Sequence, residues 1–235
     1  VIALIHGFAG TSETWNDVIA AWELSDPPRA IALPGHGGGP VRATWDENLA
    51  AVGRAIAGCD VVVGYSLGAR VALGLIVSGL ASHGVLIGVN PGVGDELRSE
   101  RAQVDFAWAR LLRDDGVAAF HDAWTNQPLF ATQSRVDPAR RAARRERRVR
   151  LDPEQLAQSL EVMGLAAMPD YWNAVAVHRD RLALIAGAED TKYIAIAEGL
   201  PSKWFETIPG SGHDPTLEQP AALAAAIARA VAALR

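Results

Sequence analysis

The residues best suited to chemistry are a serine, a histidine and an aspartate that lie far apart in the chain. Ser66 stands in Gly64-Tyr65-Ser66-Leu67-Gly68, after the apolar run Val61-Val62-Val63 and before a segment with helical spacing. A G-x-S-x-G pattern between a strand and a helix is a nucleophile elbow. The sharp turn strains the central residue, and flanking glycines let neighbouring chain pass without a Cβ clash. The hydroxyl then stands exposed at the positive end of the following helix. A serine hydroxyl is inert at neutral pH. It needs a base to take its proton, and the base needs a carboxylate to fix its tautomer. His213, in Gly210-Ser211-Gly212-His213, and Asp190, closing Ala186-Gly187-Ala188-Glu189-Asp190, are of those types. Their spacing of 23 residues is enough for one helix and one strand. His6-Gly7-Phe8 follows the first apolar run, and the backbone N–H groups of Phe8 and Leu67 could together form an oxyanion hole. The competing reading is a glycine-rich turn with an ordinary serine, and three concordant features weigh against it.

Such residues meet only if the elements carrying them are layered correctly. Val1–Ile5, Ala30–Leu33, Asp60–Val63 and Val85–Asn90 read as strands, with helices over 11–24, 45–57 and 69–77. Strand-like runs resume at 182–186 and 204–208, and an alanine-rich helix covers 221–234. Alternating strands and helices predict an α/β fold, a mostly parallel sheet with helices on both faces. From 95 to 170 the pattern is helical, broken at Pro128, Pro138 and Pro153. This stretch reads as a cap inserted into a core made of 1–94 and 171–235, one continuous catalytic unit. It would lie over the carboxyl ends of the strands, where open α/β sheets bind ligands.

The 235 residues carry 49% apolar side chains and a net charge of −5, so a sizeable core is available and a nucleic-acid binder is disfavoured. Cys59 is the only cysteine, which excludes a disulfide scaffold. No apolar run approaches the roughly 20 residues of a membrane span. The opening Val1–Ile5 has no basic flank of a secretory leader, so a soluble cytoplasmic protein is expected. The missing initial methionine leaves room for residues upstream of Val1. No cluster has metal-ligand spacing and no G-x-G-x-x-G follows a strand, so neither metal nor cofactor is expected. Charge is uneven: residues 96–150 hold 12 arginines against 8 acids, a balance of +4, and the remainder carries −9. Most of these arginines read as a solvated helix face. One or two pointing into a cleft would hold carboxylates bidentately. Arg70, one helical turn beyond Ser66, suits an anionic substrate in the same way. His6 and His36 read as loop-ordering residues, and His83, His121 and His178 as surface or packing residues.

Together, His6-Gly7-Phe8, Leu33-Pro34-Gly35-His36-Gly37, Gly64-Tyr65-Ser66-Leu67-Gly68, Asp190 and Gly212-His213 resemble the α/β-hydrolase superfamily across nearly the whole chain. The order serine, acid, histidine is that fold's order. A narrower resemblance follows from Gly64–Arg70, the segment Trp124 to Phe130, Gly187–Tyr193 and Ile208–His213. These are similar to the 2-succinyl-6-hydroxy-2,4-cyclohexadiene-1-carboxylate synthases of menaquinone biosynthesis. Gly68-Ala69-Arg70 departs from that family's usual Gly-Gly-Arg, and His213-Asp214-Pro215-Thr216 lacks its frequent second histidine. The second departure bears on the substrate more than on the fold.

The resemblance implies elimination of pyruvate from 2-succinyl-5-enolpyruvyl-6-hydroxy-3-cyclohexene-1-carboxylate, a small polycarboxylate, by a Ser-His-Asp triad without cofactor. It implies substrate contacts at Tyr65, Arg70, Arg101, Trp124 and Arg148, with Arg147 or Arg150 as alternatives to the last. An ordinary serine hydrolase of an ester, thioester or C–C bond is the rival reading. A non-catalytic binding protein on the same fold is a third. The oligomeric state is left open.

Overall fold

The apolar runs become strands of one sheet. The computed structural model describes residues 1–22 and 27–235. The strands are β1 (Ile2–Ile5), β2 (Arg29–Ile31), β3 (Val61–Tyr65), β4 (His83–Ile87), β5 (Leu182–Gly187) and β6 (Trp204–Ile208). They pair in parallel in the order β2-β1-β3-β4-β5-β6. Strands covered on both faces read as continuous apolar runs, which is why β1 and β3 show no alternation although every residue is buried. Alternate residues still serve opposite faces. Ala3, Ile5 and Val62 pack with Trp45, Leu49, Leu73 and Ile76 of α2 (Trp45–Ala55) and α3 (Leu67–Val77). Ile2, Leu4 and Val63 pack with Trp15, Leu223, Ile227 and Val231, the last three on α10 (Pro220–Leu234).

The predicted helix at 11–24 is interrupted. Ser12–Trp15 is a 3-10 turn, closed by the Thr14 N–H on the Thr11 carbonyl at 3.0 Å, and only Asn16–Ala20 is α-helical, α1. The end of that prediction, at Leu24, lies outside the described residues. Residues 95–163 are helical: α4 (Asp95–Thr125), a 3-10 segment Pro128–Arg135, α5 (Pro138–Arg148) and α6 (Pro153–Met163). α4 bends at Gly116, whose φ is 79°. The three prolines begin helical turns rather than end them, since the first helical position has no use for its N–H. Asp137 and Asp152 accept the backbone N–H groups just beyond, as N-caps. α4 and α6 enclose Ala109, Leu112, Phe120, Leu156 and Leu160, a cluster that reaches the sheet through Phe8 and Ala9. The short helices α7 (Trp172–His178), α8 (Thr191–Glu198) and α9 (Pro215–Glu218) lie between and after the last strands.

The chain runs from β1 outwards to β2 and returns on the other side of β1 as β3. Loops leaving neighbouring strands on opposite sides of such a switch point part and leave a crevice. The pairing of Ile5 with Gly64 sets the loop after β1 beside the turn after β3.

Candidate active site

At that turn Ser66 has φ 53° and ψ −110°, between the end of β3 and the start of α3. Its two glycines are required by close approach. A Cβ at Gly64 would lie 2.1 Å from the Gly68 carbonyl oxygen, and one at Gly68 would lie 2.2 Å from that of Ile5. Any side chain there would push the elbow off the sheet.

His213 reaches Ser66 from the loop after β6. Its Nδ1 is 2.6 Å from Asp190 Oδ2 and its Nε2 is 3.1 Å from Ser66 Oγ. A carboxylate at Asp190 accepts the Nδ1 proton, which leaves Nε2 free to accept from the serine hydroxyl. Asp190 and His213 are both buried. The other oxygen of Asp190 caps α8 through the Tyr193 N–H at 3.4 Å. Glu218 grips the histidine loop from both sides, accepting the Gly212 N–H at 2.6 Å and the Asp214 N–H at 3.3 Å. Burial pushes its carboxyl up, against the pull of the Gly212 N–H. The rings of Tyr193 and Tyr65 stand 4.3 and 5.6 Å from the imidazole.

The loop after β1 is held by two histidines. His6 Nε2 accepts the Leu33 N–H and His36 Nε2 accepts the Ala9 N–H, each at 3.1 Å. Burial, with His36 next to it, lowers His6 to about 3. Burial lowers His36 to about 4. Both rings are therefore neutral and able to accept, as their roles demand. Gly7 is pressed against the Tyr65 ring and the Ser66 Cβ. The N–H groups of Phe8 and Leu67 have no hydrogen-bond partner among the described residues. Two unpaired donors flanking a nucleophile suit an oxyanion.

Ser66 and His213 open into a cavity of about 460 Å³, which Phe8, Arg70, Arg101 and Trp124 also line. Trp124 packs among Phe8, Trp108 and Phe120, at 5.5, 5.0 and 5.2 Å between ring centroids. The Arg70 guanidinium donates to the Met163 carbonyl at 3.2 Å and touches Met168 Sδ at 3.7 Å, with no carboxylate paired to it among the described residues. Burial lowers it to about 10, still charged at neutral pH. Arg101 donates to Asp105 Oδ1 at 2.6 Å, and its buried Nε has no partner among the described residues.

Of the residues selected from sequence, Ser66, Asp190, His213, Phe8, Arg70, Arg101 and Trp124 line this cavity. Leu67 contributes only its N–H, and Tyr65 lies beneath the imidazole rather than in the cavity wall. Arg148 is elsewhere. It is buried, 4.0 Å from Asp214, and lines a second cavity beyond the 128–135 segment. Arg147 faces Glu13 and Arg150 pairs with Glu146, so neither takes its place. One turn of α5 separates Arg144 from Arg148, which puts both on its buried side. Tyr193, Glu218 and the Arg144–Asp214 pair escaped sequence reasoning. Tyr193 had a signal, standing three residues beyond the acid on the helix that the acid caps.

Among the described residues, no helix is long and apolar enough to cross a membrane, and no group of His, Cys, Asp and Glu is arranged to hold a metal ion. The profile of the alpha/beta hydrolase family matches residues 2–226. A 2-succinyl-6-hydroxy-2,4-cyclohexadiene-1-carboxylate synthase of Enterobacter sp. (strain 638) is 32% identical, over 97% of this chain and 90% of its own length. One from Escherichia coli O7:K1 is 30% identical over 97% and 92%. The structure of MenH from S. aureus superimposes with a TM-score of 0.91 at 26% identity, covering 99% of this chain and 93% of that one. A thermophilic esterase from Thermogutta terrifontis shares the fold, with a TM-score of 0.79, 20% identity and coverage of 99% and 89%. The chain is thus an enzyme of the alpha/beta hydrolase family and belongs, within it, with the 2-succinyl-6-hydroxy-2,4-cyclohexadiene-1-carboxylate synthases.

Proposed function

We propose that this enzyme eliminates pyruvate from 2-succinyl-5-enolpyruvyl-6-hydroxy-3-cyclohexene-1-carboxylate. The observation that carries the reading is a Ser66–His213–Asp190 relay opening into the cavity that also holds the carboxylate-free guanidinium of Arg70. A lipase or simple esterase has no need of a buried cation there. A substrate with several carboxylates does.

In the proposed reaction His213 takes the Ser66 proton, and the serine oxygen removes a proton from the substrate ring. The electron pair of that C–H bond moves into the ring, and the ring C–O bond to the enolpyruvyl group breaks. The departing enolate takes up a proton to become pyruvate. Charge developing on the conjugated oxygen falls to the N–H groups of Phe8 and Leu67, a type of contact worth about 2.7–4 kcal/mol per donor in related sites. Arg70 and Arg101 hold carboxylates, and Trp124 with its aromatic neighbours shapes the apolar wall. The helical stretch 95–170 acts as the cap that closes over these groups.

The test supplies the enzymatically generated precursor and follows ultraviolet absorbance and pyruvate. The wild-type chain releases pyruvate, and Ser66→Ala reduces turnover by at least about a thousandfold with the melting temperature unchanged. Rapid p-nitrophenyl ester turnover without pyruvate release assigns the chain to the hydrolases instead. Pyruvate release at near wild-type rate by Ser66→Ala removes the serine from the mechanism.

A further inference from the structure

Behind the 128–135 segment lies a second cavity of about 430 Å³, and the proposed reaction makes no use of it. Gln127, Pro128 and Phe130 line both cavities and form the wall between them. Its lining includes Arg141, Arg144, Arg145 and Arg148 with His121 and Gln133, and no acidic residue among the described ones. Two carboxylates outside the lining, Asp122 and Asp214, answer those four cations. Arg145 pairs with Asp122 through two contacts of 2.9 and 3.0 Å. Arg144 donates to Asp214 at 3.2 Å and to Thr216 Oγ1 at 3.2 Å. Arg148 has only the distant edge of that same Asp214. The surround therefore keeps an excess of two positive charges.

Buried polar atoms in the same wall are also unanswered. Gln133 Nε2, His121 Nδ1, Arg144 Nε and Arg148 Nε have no partner among the described residues, and all four residues are less than a tenth exposed. A buried polar group without a partner costs free energy, and a buried cation costs more. Four of the eleven buried side-chain atoms without a partner among the described residues belong to this one lining, and the only formally charged side chains in it are arginines. This is the arrangement expected where an anion completes the structure.

We propose that this cavity is a second binding site, for a small molecule carrying two negative charges on oxygen atoms, such as a phosphate or a dicarboxylate. The planar forks of Arg144 and Arg148 and the amide of Gln133 would donate to it, with Arg141 and Arg145 at the mouth. The site shares no cationic residue with the catalytic cavity. Neither its existence nor its test depends on which reaction Ser66 performs.

The test is isothermal titration of the full chain with inorganic phosphate and, separately, with succinate, at low ionic strength. The two probes separate phosphate from dicarboxylate preference, and one of them binds with 1:1 stoichiometry. Ala142 lines the mouth and is exposed on α5, so Ala142→Glu places a carboxylate at the entrance without touching the core. It weakens binding by about tenfold or more with the melting temperature in the absence of ligand unchanged. Arg148→Met weakens it similarly where it folds. Arg70→Ala, in the other cavity, leaves the affinity within about twofold. Absence of saturable binding by the wild-type chain overturns the proposal. So does binding that Arg70→Ala abolishes, or binding that Ala142→Glu leaves unchanged.

Discussion

Arg70 shows what one side chain contributes. Its guanidinium rests on a carbonyl and a thioether, so its charge is held ready rather than neutralised. Hydrogen bonds to charged groups contribute about 1.5–3 kcal/mol. Arg70→Ala should therefore lower kcat/KM for the polycarboxylate by roughly 10- to 100-fold, while leaving turnover of a neutral p-nitrophenyl ester within about threefold. Arg70→Lys keeps the charge but loses the fork, and recovers only part of the loss. Steady-state kinetics on the two substrates check both. An equal fall on both substrates would make Arg70 a structural residue. The convergence of Ser66, His213 and Asp190, and the place of Arg70 beside them, were legible because each sits in a short motif whose spacing sets its geometry. Arg148 was not. In a run with arginine at 144, 145, 147, 148 and 150, sequence cannot say which face meets which cavity. The deciding partner, Asp214, is more than sixty residues away on another element.

Elements act through their ends. α3 starts so close to β1 that the missing Cβ of Gly68 is what lets the elbow seat against the Ile5 carbonyl. Gly68→Ala should cost about 1–3 kcal/mol in chemical denaturation, the usual range for overpacking, and should reduce activity more than stability alone explains. A fully active, equally stable Gly68→Ala protein would show that the turn tolerates a displaced helix. The strands were legible from their apolar runs, and the three prolines marked the breaks in the helical stretch. The break of 11–24 into a 3-10 turn and a short helix was hidden, because a capping threonine followed by helical spacing suits both forms. The bend at Gly116 was hidden too, since a lone glycine inside a helical pattern is often accommodated.

Across the whole molecule, buried neutral histidines tie stability to pH. His6 and His36 are held at about 3 and about 4, well below the ordinary 6.5 that they regain on unfolding. The unfolded chain thus binds more protons between those values. Their contribution is complete above about pH 6.5 and is lost as the pH falls, towards about 4 for His36 and about 3 for His6, by about 1.4 kcal/mol per pH unit for each ring. His121, lowered to about 4 by burial and Arg148, adds to the same slope. Urea unfolding at pH 7 and pH 5 should show this fall, and His36→Asn should flatten it. Equal stability at the two pH values would contradict neutral rings. Charge distribution gives a second expectation at this scale. Residues 96–150 carry +4 on a chain of −5, so salt should lower kcat/KM for the proposed polycarboxylate by weakening attraction towards the positive stretch.

The pairing of Ile5 with Gly64 has a consequence for how such enzymes diversify. Ser66, His213 and Asp190, with the N–H groups of Phe8 and Leu67, are anchored at the ends of strands β1, β3, β5 and β6, and in the proposed reaction they handle the proton and the developing charge. Arg101 and Trp124, which line the same cavity, belong to α4, between β4 and β5. Grafting a foreign helical stretch between those two strands would keep the proton-handling machinery and exchange its clientele. A lineage could thus move from bond cleavage by water to elimination without re-inventing its base.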